Sequence, residues 1–265
     1  MNRTLIKIIL SFLLIWFFIN IIIYFYQDNL LYHPEKNINH FYPNKKNHNF
    51  NRIEIQSDYS LSGWFHFKGN KMKTILFFHG NSGNLEKRLY KLNKLSELNI
   101  NYLIISYRRY NGNQGKPTEE GFYKDAYKSK LWLNKKNIKD SDIILFGESL
   151  GCGVAIELGS NYNFSGLILD SPFSSIRDLF RIRYPFLSDK IIKDKYDNIS
   201  KIKYITYPKL FLLGKNDSII PHRLCIQLYN EAIEPKYKYI TNDNHMLDFN
   251  NKLKKRIEEF IHSLS

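Results

Sequence analysis

Residues 143–158 read IILFGESLGCGVAIEL, an apolar run, a Gly-x-Ser-x-Gly pentapeptide and a string of small residues. Ile143, Ile144, Leu145 and Phe146 predict a strand buried on both faces, and Cys152, Val154, Ala155 and Leu158 predict the packed side of the helix that follows. A serine between two such elements has to stand on a sharp turn. Gly147 and Gly151 flank Ser149 where a side chain would strike the neighbouring strand or helix, which is the pattern of a nucleophile elbow. Taken alone, the stretch also fits, less well, an ordinary strand-loop-helix connection with a solvent serine. The rest of the chain has to decide between the two.

The same strand-then-helix pattern recurs on both sides of the elbow. Arg52–Ser57 and Leu61–Lys68 are separated by a turn at Asp58–Ser60 and predict an antiparallel hairpin. Thr74–Phe78 predicts a short apolar strand, followed by a helix with Leu85, Leu89, Leu92, Leu95 and Leu98 on one face and Asn84 as its cap. Tyr102–Ser106 is a strand, Arg108–Pro117 a glycine-bearing loop, and Thr118–Asn134 a helix capped by Thr118 with Glu119 and Glu120 at its positive end. Beyond the elbow, Gly166–Leu169, Leu210–Leu213 and Tyr237–Ile240 predict strands, with helices near Leu224–Ala232 and at Asn250–His262. Alternation of this kind indicates an α/β fold, a mostly parallel doubly wound sheet covered on both faces, with the hairpin antiparallel at one edge. Residues 172–207 break the alternation and suit a small cap insertion.

With 265 residues and 43% hydrophobic composition, the chain has ample core for one domain. Residues 8–26, IILSFLLIWFFINIIIYFY, pass without a charge over close to the ~20 residues that cross a bilayer as helix. No small-residue cleavage site follows them before Gln27 and Asp28, so an uncleaved N-terminal transmembrane helix is expected over residues 1–28, with the folded domain over 29–265. Arg3 and Lys7 precede the span while Lys36, Lys45 and Lys46 follow it, and this balance leaves the side of the membrane open. The net charge of +14 comes from lysines scattered through every segment. A solvated surface explains that scatter better than a nucleic-acid interface does, and it also suits anionic lipid headgroups. Cys152 and Cys225 lack the spacing and companions of a metal site, and no P-loop or dinucleotide fingerprint is present. No cofactor or metal is expected.

A serine hydroxyl needs a base, and the base needs a carboxylate to orient it. Asp217, in GKNDSIIP, and His245, in TNDNHMLDF, each follow a predicted strand and stand in the order Ser, Asp, His that this architecture uses. Asp170, at the end of the strand after the elbow, and Asp243, two residues before His245, compete for the acid position, with Asp217 preferred. His33, His40, His48 and His66 precede the parallel core, while His222 and His262 are poorly placed. The oxyanion donors are expected to be the N–H groups of Leu150 and of Asn81, or of Ser82 next to it, with His79 bracing that loop.

With these residues in place, the chain resembles the membrane-anchored branch of the α/β-hydrolases that includes the Bem46-like proteins and the alpha/beta-hydrolase-domain depalmitoylases of animals. The resemblance rests on Leu31-Tyr32-His33-Pro34 after the anchor, HGNSGN at 79–84, YRRYNGNQGKPTEEG at 107–121, GESLGCG at 147–153, LDSPFSS at 169–175, GKNDSIIP at 214–221 and the late His245. It implies an α/β-hydrolase fold and a triad of Ser149, Asp217 and His245. It also implies a membrane-anchored serine hydrolase that cleaves an ester or thioester of a small-molecule, acyl or lipid-like substrate. A peptidase or amidase acting on small peptides is the alternative within the class, and a catalytically silent membrane-tethered binding module the alternative outside it. Two positions depart from the family pattern: Arg109 stands where a glycine is usual, and Ser106 where an aspartate is. The N-terminus lacks the cysteines that relatives acting on palmitoylated proteins carry, which weakens that particular assignment.

Overall fold

The computed structural model describes residues 2–35 and 50–264. Lys36, Lys45, Lys46, His40 and His48 lie outside the described residues. In chain order the elements are α1 (Arg3–Leu31), β1 (His33–Pro34), β2 (Asn51–Gln56), β3 (Ser60–His66), β4 (Thr74–Phe78), β5 (Ser82–Gly83), α2 (Leu89–Ser96), β6 (Asn101–Ile105), α3 (Glu119–Lys135), β7 (Ile143–Glu148) and α4 (Leu150–Asn161). They continue with β8 (Gly166–Asp170), α5 (Ile176–Arg183), α6 (Asn198–Lys201), β9 (Lys209–Gly214), α7 (His222–Glu231), β10 (Lys236–Thr241) and α8 (Asn251–His262).

Eight strands form one sheet in the order β10-β9-β8-β7-β4-β6-β3-β2. β2 and β3 pair antiparallel, β3 joins β6 antiparallel, and every other pairing is parallel. The hairpin therefore sits at one edge, as the alternating pattern predicts. Successive side chains of a strand point to opposite faces, and the two cores follow that alternation. Leu76, Phe78, Leu145, Leu167 and Leu169 belong to one core, while Ile75, Phe77, Ile144, Phe146 and Ile168 belong to the other. The strands β4, β7, β8 and β9 are buried at every position, which is why they read as unbroken apolar runs.

After β4 the chain crosses to β6 on one side, then returns through α3 to place β7 on the other side of β4. The carboxyl ends of β4 and β7 thus flank the point where strand order reverses, where open sheets of this kind leave a crevice. Phe78 pairs with Gly147 there. Helix caps lock the approach: Thr118 Oγ1 accepts from Gly121 N at 3.0 Å, and Asn250 Oδ1 accepts from Lys252 N and Leu253 N at 2.9 and 3.1 Å. The helix after β4 starts later than its leucine pattern predicts, because residues 86–88 form a tighter 3-10 turn before α2.

α1 is long and apolar enough to cross a membrane, with 29 residues spanning about 44 Å. Its amino-terminal half is exposed, and its carboxyl-terminal half lies against the segment between β8 and β9. Trp16 Nε1 donates to Phe186 O at 2.7 Å, Ser188 N donates to Asn20 Oδ1 at 3.0 Å, and Lys193 N donates to Gln27 Oε1 at 2.8 Å. The segment itself holds α5, α6 and two 3-10 turns at 189–191 and 202–204. The end of α1 runs into the β1–β5 bridge, which pairs His33 with Ser82.

Candidate active site

Ser149 occupies the turn between β7 and α4 at φ 51° and ψ −117°. A Cβ at Gly147 would lie 2.5 Å from Cys152 Cα, and one at Gly151 would lie 2.0 Å from the Phe78 carbonyl oxygen. Both glycines are therefore required by close backbone approach. The turn is held by Ser149 N donating to Asp170 O at 2.8 Å and by Cys152 N donating to Ser149 O at 2.9 Å.

Ser149 Oγ is 2.9 Å from His245 Nε2, and His245 Nδ1 is 2.8 Å from Asp217 Oδ2. A carboxylate can only accept, so Nδ1 carries the imidazole proton and Nε2 presents its lone pair to the serine hydroxyl. The other Asp217 oxygen, Oδ1, accepts from Ile219 N and Ile220 N, each at 2.8 Å, which fixes the carboxylate at the end of β9. Ser171 Oγ donates to His245 O at 2.9 Å and holds the histidine loop from the other side. The structure thus brings together the three residues read from separate motifs.

The competing acids are occupied elsewhere. Asp170 Oδ2 lies 2.5 Å from Lys91 Nζ, and Asp243 Oδ2 accepts from Asp248 N. Among the other described histidines, His33 and His262 are exposed, His66 is buried on the hairpin, and His222 Nδ1 faces Gly214 O.

The loop after β4 is braced from several directions. His79 Nδ1 donates to Gly80 O at 2.7 Å, and Tyr107 OH donates to His79 O at 3.1 Å. Because the peptide is trans, fixing the Gly80 carbonyl also fixes the direction of the Asn81 N–H on its far side. Burial, with the Arg88 charge adding to it, pushes the His79 imidazole down to about 3, so it stays neutral. The Asn81 carbonyl accepts from His33 N and Tyr110 OH, and its side-chain amide donates to Leu31 O at the end of α1. Leu150 N–H is the first amide of α4 and has no acceptor within the helix.

Beneath this loop is a charge cluster that the sequence reading missed. Arg88 Nη2 and Lys91 Nζ each lie 2.7 Å from a Glu148 carboxylate oxygen, and Lys91 bridges on to Asp170. Gly80 N donates to the same Glu148 carboxylate, and Arg88 Nη1 donates to Ser82 O, so the cluster pins the loop to the elbow strand. Burial alone would raise Glu148, but Lys91 and Arg88 hold it well below the usual carboxylate range. The available signal was positional: Arg88 and Lys91 fall on the same helix face as Leu92 and Leu95, where a cation needs a buried partner.

The positions that depart from the family pattern also have a physical setting. Arg109 has φ 73°, a conformation that favours glycine, and its side chain is exposed. Ser106 is fully buried. Burial pushes the Cys225 thiol up to about 12 and raises Cys152 well above its ordinary value, in keeping with packing roles. Among the described residues, no group of three or more His, Cys, Asp or Glu side chains is placed to hold a metal ion.

Comparison with known proteins places this geometry in a family. Residues 36–231 match the family described as "Alpha/beta hydrolase of unknown function (DUF1057)". The chain is 32% identical over 212 residues to the protein Bem46 of Schizosaccharomyces pombe, covering 74% of this chain and 70% of that protein. It is 30% identical over 168 residues to human alpha/beta hydrolase domain-containing protein 17B, covering 63% of this chain and 57% of that one. Among solved structures, the Pyrococcus furiosus esterase Pf2001 superposes with a TM-score of 0.73, covering 88% of this chain and 100% of that chain at 19% identity, a likeness of fold. With an eight-stranded hydrolase sheet, an elbow at the strand-order reversal and a family match over most of its length, the chain belongs to the DUF1057 family of alpha/beta hydrolases.

Proposed function

We propose that the chain is a membrane-anchored serine hydrolase that cleaves an ester or thioester of an acyl or lipid-like substrate through an acyl-Ser149 intermediate. The observation that carries this reading is the relay from Ser149 Oγ through His245 to Asp217, with both links under 3 Å. His245 Nε2 takes the hydroxyl proton as Ser149 Oγ bonds to the acyl carbon, and the carbonyl electrons move to oxygen. The resulting oxyanion accepts from the N–H groups of Leu150 and Asn81, each such donor being worth about 10²–10³ in rate. Collapse expels the alcohol or thiol, which leaves with the proton from His245. Water then attacks the acyl-serine by the same route in reverse. Asp217 keeps the imidazole in the tautomer that accepts from serine.

In this reading α1 anchors the protein and residues 29–265 form the hydrolase domain. Residues 172–207, part of which is hydrogen-bonded to α1, act as its cap. Fluorophosphonate labelling of the full chain in detergent or vesicles is the test. Labelling that disappears in Ser149→Ala supports the reading. A wild-type protein that fails to label, or labels equally in the variant, overturns it.

A further inference from the structure

We infer that the anchor helix is itself a wall of the substrate site, forming with α5 an apolar cavity that takes a linear acyl chain from the hydrocarbon side of a bilayer. The inference rests on the ester-hydrolase reading above and adds to it the chemistry and route of the substrate. A cavity of about 350 Å³ lies between the last turns of α1 and α5, at the small end of the ~300–1,000 Å³ range of small-molecule sites. Its walls include Ile23, Leu30 and Leu31 of α1, Leu179 and Ile182 of α5, and Ile219.

Two contacts set this cavity beside the triad. Ile219 is on the loop that donates its N–H to Asp217, and the Leu31 carbonyl accepts from the side chain of Asn81. The loop bearing the acid therefore borders the cavity, and the loop bearing the oxyanion donor is joined to its wall through Leu31. Asp28 is paired with Lys116 at 2.6 Å and Asp194 accepts from Tyr32 OH at 2.6 Å, so the two carboxylates at the rim are already engaged. Apart from Gln27, Arg183, Tyr184 and Ser218, the rest of the lining is apolar and suited to hydrocarbon.

The route follows from how far the segment after α5 climbs along α1. Its contacts run from Gln27 through Asn20 to Trp16, about 16 Å along the helix axis, and the last two fall inside the uncharged run of residues 8–26. With α1 spanning a hydrocarbon layer of ~30 Å, the tip of this segment stands at acyl-chain depth. At its tip Tyr184 is 44% exposed and Phe186 87% exposed, large apolar surfaces that gain by leaving water, flanked by the charged Arg181, Arg183, Asp189 and Lys190. Asn20 and Gln27, the polar side chains buried on α1, bond to this segment's backbone and so keep it against the helix.

The test uses the full chain in phosphatidylcholine vesicles and a series of p-nitrophenyl esters from acetyl to hexadecanoyl. In the wild type, kcat/KM rises by up to about fourfold per added methylene until the cavity is full. Ile23→Trp and Leu179→Trp, which fill the slot from opposite walls, lower the dodecanoyl-to-acetyl ratio by about tenfold or more, while Phe25→Trp, on the exposed side of α1, leaves it within twofold. Thermal melts check that the variants fold. A flat chain-length profile, or a ratio unmoved by both cavity substitutions while acetyl ester is still cleaved, overturns the inference and leaves the hydrolase reading standing. If no ester is cleaved and Ser149 does not label, the hydrolase reading fails, and a second measurement decides the cavity. A dodecanoic acid bearing a terminal diazirine is photolysed with Ser149→Ala in the same vesicles. Adducts on α5 at Leu179 that Ile23→Trp suppresses support the cavity, and adducts confined to the exposed residues of α1 overturn it.

Discussion

Ser149 holds φ 51°, a region that costs a residue with a side chain about 1–3 kcal/mol, and it is kept there by hydrogen bonds from its own backbone to β8 and α4. Strain of that size persists where the surroundings over-determine it, and here two glycines and two backbone bonds do so. On the proposed mechanism, Asp217→Asn leaves the fold intact but favours the wrong imidazole tautomer. Turnover of an acetyl ester is expected to fall by about 10³–10⁴ in kcat with little change in KM, measured in steady state. Lys91 acts on the site through its partners. It is fully buried, and although burial alone would lower it, the Asp170 and Glu148 carboxylates hold its pKa above the ordinary lysine value. Lys91→Met leaves Asp170 without its cation and Glu148 with Arg88 alone. The expected cost is about 3–5 kcal/mol in urea unfolding, because the remaining carboxylate is stranded in a low-dielectric interior.

At the level of elements, the site is a consequence of the crossover between β4 and β7. Each strand ends at the reversal of strand order, one delivering the Asn81 loop and the other Ser149, and the buried Glu148 cluster ties the two ends together. α1 is joined to this arrangement at both ends of its packed half, through Asn81 near the site and through Asn20 and Gln27 on the segment after β8. Gln27 satisfies backbone groups of both Ile191 and Lys193. Gln27→Ala is expected to release residues 184–194 from α1 and raise their cleavage rate by added protease about tenfold, while the core strands stay protected. Cleavage unchanged from the wild type would show that the apolar contacts alone hold the segment.

At the scale of the whole molecule, Lys209 is a buried cation among the described residues whose pKa is lowered. Lys209 starts β9 fully buried, its Nζ donating to Ile205 O and Tyr207 O at 2.8 Å, and burial pushes its pKa down to about 8. The unfolded chain, with an ordinary lysine, binds more protons above that value, so this group's cost is largest below pH 8 and is relieved as pH rises toward 10.5. Relative to Lys209→Met, the wild type is expected to gain about 1 kcal/mol between pH 8 and pH 9, read from paired urea titrations. The buried tyrosines Tyr107 and Tyr196, whose pKa values burial raises, bring the opposite slope above pH 10 and close the window. Much of the molecule was legible in its sequence because the signals are local. Unbroken apolar runs marked the buried strands, two short runs about the turn at Asp58–Ser60 marked the edge hairpin, and Gly147 and Gly151 marked a turn that only glycine can make. The order of serine, aspartate and histidine along the chain was equally plain. Which carboxylate meets His245 was not, since Asp170 and Asp217 each follow a parallel strand and differ only in the loop geometry that carries one to the imidazole and the other to Lys91. The burial of Arg88 and Lys91, and the seating of α1 on the segment after β8, likewise join residues some 60 to 170 positions apart. Local pattern sets the period, the turn and the element, because those depend on neighbours in sequence. Pairings across such distances depend on sheet order and on how each loop leaves its strand, and so they were decided only when the chain was folded.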